Sequence, residues 1–283
     1  MNITNMVKYC DRLTPAENQF ADYVLRHREE IIMSTVEDLT KQTFVSKSLI
    51  HRFCKKIGLS GFNELKVKLA QEAAMEKSGE RIDVNFPFSP QDSQRVIAQK
   101  LLGLYEETVA DTHKFIDFEE LRKVVLALHN ARTIDVYTHA HNISIAENFQ
   151  DKMLSIGRVV NYAESFYKQR RQAMVSDKTH VAIIMSYSGR ATFIPNIVKI
   201  LNGMSIPIIW IGRAGNTEMA GSVKYHLCIS DRENFRLRLS QFASHIAMQY
   251  VMDLIFSCIF KMSYEENIKF IQNTINIIDD RGI

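Results

Sequence analysis

Cysteine is scarce in this chain. The four present, Cys10, Cys54, Cys228 and Cys258, are scattered, with no pair at metal-ligand spacing and no disulfide framework. No thiolate metal site is expected, and a reducing, cytoplasmic compartment is. Long hydrophobic runs are also missing. The stretch VMDLIFSCIF is too short for a membrane span, which needs about 18 apolar residues, and it contains Asp253. The opening MNITNMVKYCDRL lacks the long apolar core of a signal peptide. There is no low-complexity tract and no internal repeat. Net charge is small as well: 35 Lys and Arg against 32 Asp and Glu leave +3. A nucleic-acid function therefore has to come from local clustering of charge.

What is present is ample material for folding. Apolar residues make up 46% of the chain and charged residues 24%. At roughly 100–200 residues per domain, the length predicts two domains. Residues 1–77 form the first of these, and from residue 14 to about 77 it reads as helical throughout. In LTPAENQFADYVLRHREEII, Thr14 is placed as an N-cap, Pro15 sits at the first helical position, and Glu17 completes a capping box. Phe20, Val24 and Leu25 then recur on one face. STVEDLTKQ starts another helix, capped by Ser34 or Thr35, with acids in its first turn and Val36 and Leu39 as its apolar side.

The turn TFVS leads to FVSKSLIHRFCKKIG, a short basic amphipathic helix capped by Ser46 and stopped by Gly58. Its polar side carries Lys47, Ser48, His51, Arg52, Lys55 and Lys56. From Leu39 to Asn63 there are five Lys or Arg and no acid, a local charge of +5, while the rest of residues 1–77 has seven basic residues against ten acids. Helix, tight turn, helix is the order of a helix-turn-helix. Its second helix lies in the major groove with N-terminal residues at the base edges. Ser46, Lys47, Ser48 and His51 are therefore expected to face bases, with Arg52, Lys55 and Lys56 nearer phosphates. The competing reading of the same charges is a solvated helix face.

Residues 78–91 contain Gly79, Pro87 and Pro90 without a sustained period and read as a linker. Beyond it, in residues 92–283, short apolar runs alternate with helical stretches: TIDVY, RVVNY, HVAIIMSY, PIIWIG and KYHLCIS. That alternation predicts an α/β fold with a parallel sheet between helices. HVAIIMSYSGRATF is a strand that ends in Ser186, Tyr187, Ser188 and Gly189 before a helix. Hydroxyls, a glycine and free N–H groups at a helix start suit an anion. The same turn also reads as a simple helix cap. No Walker lysine follows it, so nucleoside triphosphates are not expected.

Here a family resemblance enters. The run RFCKKIGLSGFNELK, with LTPAE upstream, resembles the N-terminal domain of the RpiR family of bacterial transcription regulators, Thr40 being one departure from its pattern. That family joins this domain to a sugar-isomerase-like (SIS) domain, and the resemblance covers nearly the whole chain. It implies a helical DNA reader followed by a three-layer α/β domain with a five-stranded parallel sheet. SYSG resembles the S-x-S-G element that cradles a phosphosugar's phosphate, but Ala191 stands where a threonine is usual and Thr192 comes one residue late. The loop after the first strand resembles G-x-G-x-S only in position, with Thr138, His139, Ala140 and Asn142 there. Thr138, His139, Asn142, Ser186, Tyr187, Ser188, Gly189 and Thr192 are the implied effector contacts.

The expected function is a cytoplasmic, DNA-binding regulator of carbohydrate metabolism that senses a phosphorylated sugar or amino sugar. It has no catalytic residue, metal or cofactor. Its partners are a pseudo-palindromic operator and a second copy, as a homodimer or homotetramer through the SIS domain, and no membrane. The stretch Phe235 to Phe260, with Phe242, Ile246, Tyr250, Ile255 and Phe256, is more apolar than one core face needs. Two alternatives stay open. One is a phosphosugar isomerase, with Glu147, Glu233 or His245 as the general base. The other is a dimeric DNA-binding protein with a vestigial pocket.

Overall fold

The computed structural model describes residues 3–8, 10, 13–77, 82–234 and 237–278. Linker residues 78–81, Phe235 of the apolar stretch and the last five residues lie outside these. The chain divides into two compact units, Met1–Asp83 and Val84–Ile283.

The first unit is all helix. Its elements are α1 (Ile3–Lys8), α2 (Pro15–Arg26), α3 (Arg28–Met33), α4 (Val36–Thr43), α5 (Lys47–Lys56) and α6 (Phe62–Lys77). Local capping sets the starts. Glu17 Oε2 accepts the Thr14 N–H at 2.8 Å while Thr14 Oγ1 accepts the Glu17 N–H at 3.4 Å. Thr35, not Ser34, caps α4, and Asp38 closes a second reciprocal box with it. The helix that Thr14 opens breaks at His27, whose ring stacks on Tyr23 at 4.3 Å. The end of α5 is a Schellman motif: Leu59 N–H reaches Cys54 O at 2.8 Å and Gly58 N–H reaches Lys55 O at 3.1 Å. Gly58 sits at φ +88°, a conformation open to glycine and strained for other residues.

The apolar faces of these helices meet around Phe20, Val24, Ile31, Leu39, Ile50, Phe53, Leu65 and Leu69, all fully buried. Phe20 and Phe53 pack edge to face at 5.2 Å. A charged group also enters this region. Glu17 is 1% exposed and accepts Lys56 Nζ at 2.6 Å. Burial works to raise its pKa, but the bonds from Lys56 and Thr14 outweigh burial and hold the carboxyl below its ordinary value.

The second unit alternates strand and helix. It comprises α7 (Gln94–Phe115), α8 (Phe118–Asn130), β1 (Thr133–Tyr137), α9 (Ile143–Leu154), β2 (Val160–Tyr162), α10 (Phe166–Val175), β3 (His180–Met185), α11 (Ile194–Gly203), β4 (Ile208–Arg213), α12 (Thr217–Gly221), β5 (Tyr225–Ile229), α13 (Phe242–Met262) and α14 (Tyr264–Ile278). The five strands pair in parallel in the order β2-β1-β3-β4-β5. All five were foreseen as apolar runs. Within them the side chains alternate between two cores. Ile134, Val136, Ile183, Met185, Ile209 and Ile211 face one. Tyr137, Ala182, Ile184, Ile208 and Trp210 face the other. Helices cover both faces, which makes three layers.

By length and composition α13 could cross a membrane. Its residues Ala247, Met248, Val251, Met252, Ile255 and Ile259 are nonetheless buried in the second unit, as in a core helix. Ile255 is thereby claimed by the core, while Phe242, Ile246, Tyr250 and Phe256 remain half-buried. At the other end of this unit, Val84 is buried, and Asn85 accepts N–H groups from Asn234 and Leu239. Asn85 thus fastens onto the chain between β5 and α13.

The Glu17–Lys56 pair generates a prediction. Replacing Glu17 by Ala removes three bonds at a buried position, and a loss of about 1–3 kcal/mol in the first unit is expected. Amide hydrogen exchange in α2 and α5 of the full chain is the measurement. The folded pKa of Glu17 is depressed, so its contribution is fully present above its ordinary 4.5 and fades as pH falls through the folded value. The gap between parent and Glu17→Gln protein must therefore shrink on acidification.

Candidate nucleic-acid interface and ligand site

In the first unit the interface is built by α4, its turn and α5. Phe44 ends α4 in the left-handed region, φ +55°, and turns the chain toward Ser46. Ser46 Oγ accepts the Leu49 N–H at 3.2 Å and starts α5. At 3.6 residues per turn, Ile50, Phe53 and Cys54 fall on the inner side and are fully buried. The opposite side carries Ser46, Lys47, Ser48, His51, Arg52, Lys55 and Lys56, all exposed. The sequence placed them correctly on one solvent face, yet they are not electrostatically alike. Lys56 reaches buried Glu17, and Lys47 pairs with exposed Glu37. Arg52 and Lys55 form no ion pair among the described residues. The middle of the face, from Ser48 to Lys55, is thus the part with cations left for a partner.

In the second unit the two candidate loops follow β1 and β3. These strands are neighbours, and the connection reverses direction between them, since β2 lies on the outer side of β1. Ligands in open α/β sheets sit at such a switch point, outside the carboxyl ends of the strands. Thr138 Oγ1 donates to Met185 O at 2.9 Å and ties the two loops together. The rings of His139 and Phe193 meet edge to face at 5.4 Å, a second link between them.

The eight candidates do not all serve the same place. Ser188 and Gly189 are half-buried at the turn, and Thr192 is exposed just before α11. Ser188 Oγ accepts the Arg190 N–H at 3.3 Å. Gly189 has φ +66°, and a Cβ there would come within 2.9 Å of Asn216 Nδ2 and 3.0 Å of Trp210 Cζ2. Glycine is needed for both reasons. Ser186 is buried, and its carbonyl accepts the Trp210 indole N–H at 2.9 Å. Tyr187 turns to the other face of the sheet, where its hydroxyl donates to Glu233 O at 2.8 Å. Burial, aided by the charge of Glu233, pushes that phenol up.

After β1, Ala140 adopts φ +53° in a short 3-10 turn, Ala140–Asn142. Thr138 and Asn142 are buried. Two polar atoms here, His139 Nδ1 and Asn142 Oδ1, are buried without a hydrogen-bond partner. Such groups are costly unless something bonds to them. Burial lowers the pKa of His139. Burial, then the charges of Arg238, His245 and His139, pushes His141 down to about 4.

Sequence reasoning missed the polar supports. Glu233, 2% exposed, accepts Ser244 N at 2.8 Å, Ser244 Oγ at 2.6 Å and Arg238 Nη1. It was a candidate base, but its oxygens are engaged. Asp135, 1% exposed, gathers Asn161 Nδ2, Gln172 Nε2, Ser176 Oγ and His180 Nδ1. Gln169 Nε2 donates to Thr138 O and holds the first loop from α10. Only an Asp inside an otherwise apolar strand, IDV, hinted at any of this.

Two surface grooves lie apart from these loops. One, of about 420 Å³, includes Thr179, His180, Pro207 and Lys224, near the amino ends of strands. The other, of about 670 Å³, runs between α7 and α13 along Tyr105, Val109, Ala110, Ile246 and Tyr250. At the switch point, among the described residues, two unpartnered polar atoms of the loop after β1 lie close to the start of α11.

Comparison with known proteins agrees with this architecture. Residues 1–76 match the helix-turn-helix domain of the rpiR family, and residues 127–255 match the SIS domain. A helix-turn-helix transcriptional regulator of Caldanaerobacter subterraneus is 27% identical over 270 residues, 95% of this chain and 94% of that one. Another, from Haemophilus influenzae, is 25% identical over 271 residues, 96% of this chain and 94% of that one. Among solved structures, the Vibrio vulnificus NanR protein complexed with ManNAc-6P aligns over 98% of this chain and 97% of that one, with a TM-score of 0.60 and 18% identity. That likeness speaks for the fold alone. The chain belongs to the RpiR family: it is a transcriptional regulator with an N-terminal helix-turn-helix domain and a SIS domain.

Proposed function

We propose that this regulator reads operator DNA with α5 and senses a phosphorylated sugar or amino sugar at the switch point of its SIS domain. The observation that carries the reading is the exposed, acid-free face of α5. Phosphate neutralisation by such a face supplies much of a reader's affinity. On it, Lys47, Ser48 and His51 face base edges, and Arg52 and Lys55 take phosphates. Lys56, committed to Glu17, orients the helix instead. Ser188, Gly189 and Thr192, beside the start of α11, take the phosphate; Thr138, His139 and Asn142 meet the rest of the ligand. The ManNAc-6P bound by the NanR protein supports this ligand class.

The site senses rather than converts. An isomerase needs a positioned, available base. Of the three candidates, Glu233 is engaged by Ser244 and Arg238 and Glu147 is exposed on α9. That leaves His245, beside the ring of His141, without a carboxylate partner to act with among the described residues. The work of the protein is done in the cytoplasm, as a dimer or tetramer. One helix-turn-helix contacts too few bases to find a site alone, so two readers bind a pseudo-palindrome. The apolar groove between α7 and α13 is where a second copy packs.

Three outcomes test this reading. Arg52→Ala and Lys55→Ala should each weaken binding to all DNA sequences and flatten the salt dependence by about one unit per lost phosphate contact. Lys47→Ala and Ser48→Ala should relax sequence preference instead. Fluorescence anisotropy at several salt concentrations reads both, and two phosphate-site variants that bind like the parent would sink the assignment. A phosphosugar at 100 times its dissociation constant should stabilise the second unit by about 2.7 kcal/mol, and Ser188→Ala should remove most of that gain. A panel that never shifts the melting of the parent favours a vestigial pocket. Sedimentation should show a dimer or tetramer at micromolar concentration. A monomer that still binds operator tightly contradicts the two-fold arrangement.

A further inference from the structure

A second cluster of basic groups lies at the carboxyl edge of the sheet, outside the serine turn. Arg238 comes from the chain between β5 and α13, His245 from the first turn of α13, and His141 from the 3-10 turn after β1. The rings of His141 and His245 are 6.1 Å apart. Arg238 acts on His141 as a neighbouring charge. Its Nη1 is engaged by Glu233 and Ser244, and its remaining nitrogens form no hydrogen bond among the described residues. The anchor is firm, because Glu233 also accepts Ser244 N and so holds the start of α13. Next to His141, Asn142 keeps its buried, unpartnered Oδ1.

Two facts connect this cluster to the serine turn. Tyr187 stands between Ser186 and Ser188 in sequence, and its hydroxyl bonds the carbonyl of Glu233. A single tyrosine side chain therefore spans from one group to the other. The Thr138–Met185 bond also joins the loop bearing His141 to the strand that bears the serines. Both contacts place the cluster at the same carboxyl edge of the sheet as the serine turn.

The chemistry of the cluster selects its occupant. A guanidinium with an open edge takes a planar two-oxygen anion in a fork, and a carboxylate fits that geometry. Two imidazoles beside it add donors once protonated. We propose that Arg238, His141 and His245 form a second anion subsite that takes a carboxylate of the same ligand, so the effector is a phosphorylated sugar acid. This rests on the phosphosugar reading above and narrows it.

Proton linkage follows from the surroundings of His141. The groups that face it are Arg238 and, through Arg238, Glu233 from the connecting chain, His245 from α13 and His139 from its own loop. Its imidazole is neutral near neutral pH, because burial and these positive neighbours disfavour its charge. An anion bound among them reverses the sign of the local field. The bound state then holds a proton that the free state does not, so affinity rises as pH falls.

Calorimetric titration of the full-length protein tests the proposal. The probes are two pairs, 6-phosphogluconate against glucose 6-phosphate, and N-acetylmuramic acid 6-phosphate against N-acetylglucosamine 6-phosphate, with gluconate alone as a fifth. In at least one pair the acid should bind about tenfold tighter or more. The gap should widen from about pH 7.5 to about pH 6, with proton uptake on binding. His141→Ala and His245→Ala should bring the pair toward parity without lowering the melting temperature. These variants carry the test because Arg238→Ala leaves Glu233 buried without its cation and endangers folding. Equal binding of acid and non-acid phosphosugars overturns the subsite and leaves the phosphosugar reading intact. Survival of the gap in both histidine variants overturns it as well. Gluconate that binds as well as 6-phosphogluconate shows a carboxylate site unconnected to the phosphate, which also overturns it. If no probe binds, the phosphosugar reading falls and takes the subsite with it.

Discussion

A parallel sheet covered on both faces leaves no room for chemistry except at the ends of its strands. That constraint governs the second unit of this protein. The central strands β1, β3 and β4 send their apolar side chains into two cores, so polar groups that meet a ligand come mainly from loops. The strand order then decides which loops. β1 and β3 lie side by side at the point of reversal, and the bond from Thr138 to Met185 O keeps their carboxyl ends in register. The serine turn, the strained Ala140 and the two unpartnered polar atoms all lie at this edge.

In each unit a buried carboxylate fixes a cation and a helix start. In the first, Glu17 caps α2 through Thr14 and binds Lys56 at the end of α5. In the second, Glu233 binds Arg238 and the first turn of α13 through Ser244. A buried carboxylate is tolerated only when nearly every lone pair is satisfied, and removing one partner leaves an uncompensated charge. Both pairs therefore act as positioning devices. One sets the angle at which α5 presents its basic face. The other sets where Arg238 and His245 stand relative to the loop after β1.

The two halves differ in how they treat polarity. The face of α5 is open and Arg52 and Lys55 on it are hydrated, so the phosphate binding proposed for it would respond to salt. The switch point is half-buried, and burial disfavours the charged form of its His139 and His141, so the ligand binding proposed there would respond to the charge of what enters.

The sequence by itself determined whatever rests on near neighbours along the chain. Caps at Thr14 and Ser46 follow from residues three positions apart, the α4 cap was narrowed to Ser34 or Thr35, and the inner face of α5 follows from helical spacing. The five strands were legible because each is a short apolar run between helices. So were the serine turn and its glycine. Tertiary structure alone decided which groups at these places are free to act. Lys56 looked like one more phosphate contact until Glu17, 39 residues away, was found beside it. Tyr187 looked like a ligand contact until its hydroxyl was found on Glu233, 46 residues on. Glu233 looked like a base until Ser244 and Arg238 filled its oxygens. The physical reason is common to all three. Local pattern reports which face a side chain is on, but a hydrogen bond between distant residues depends on how whole elements pack, and nothing in the spacing encodes it.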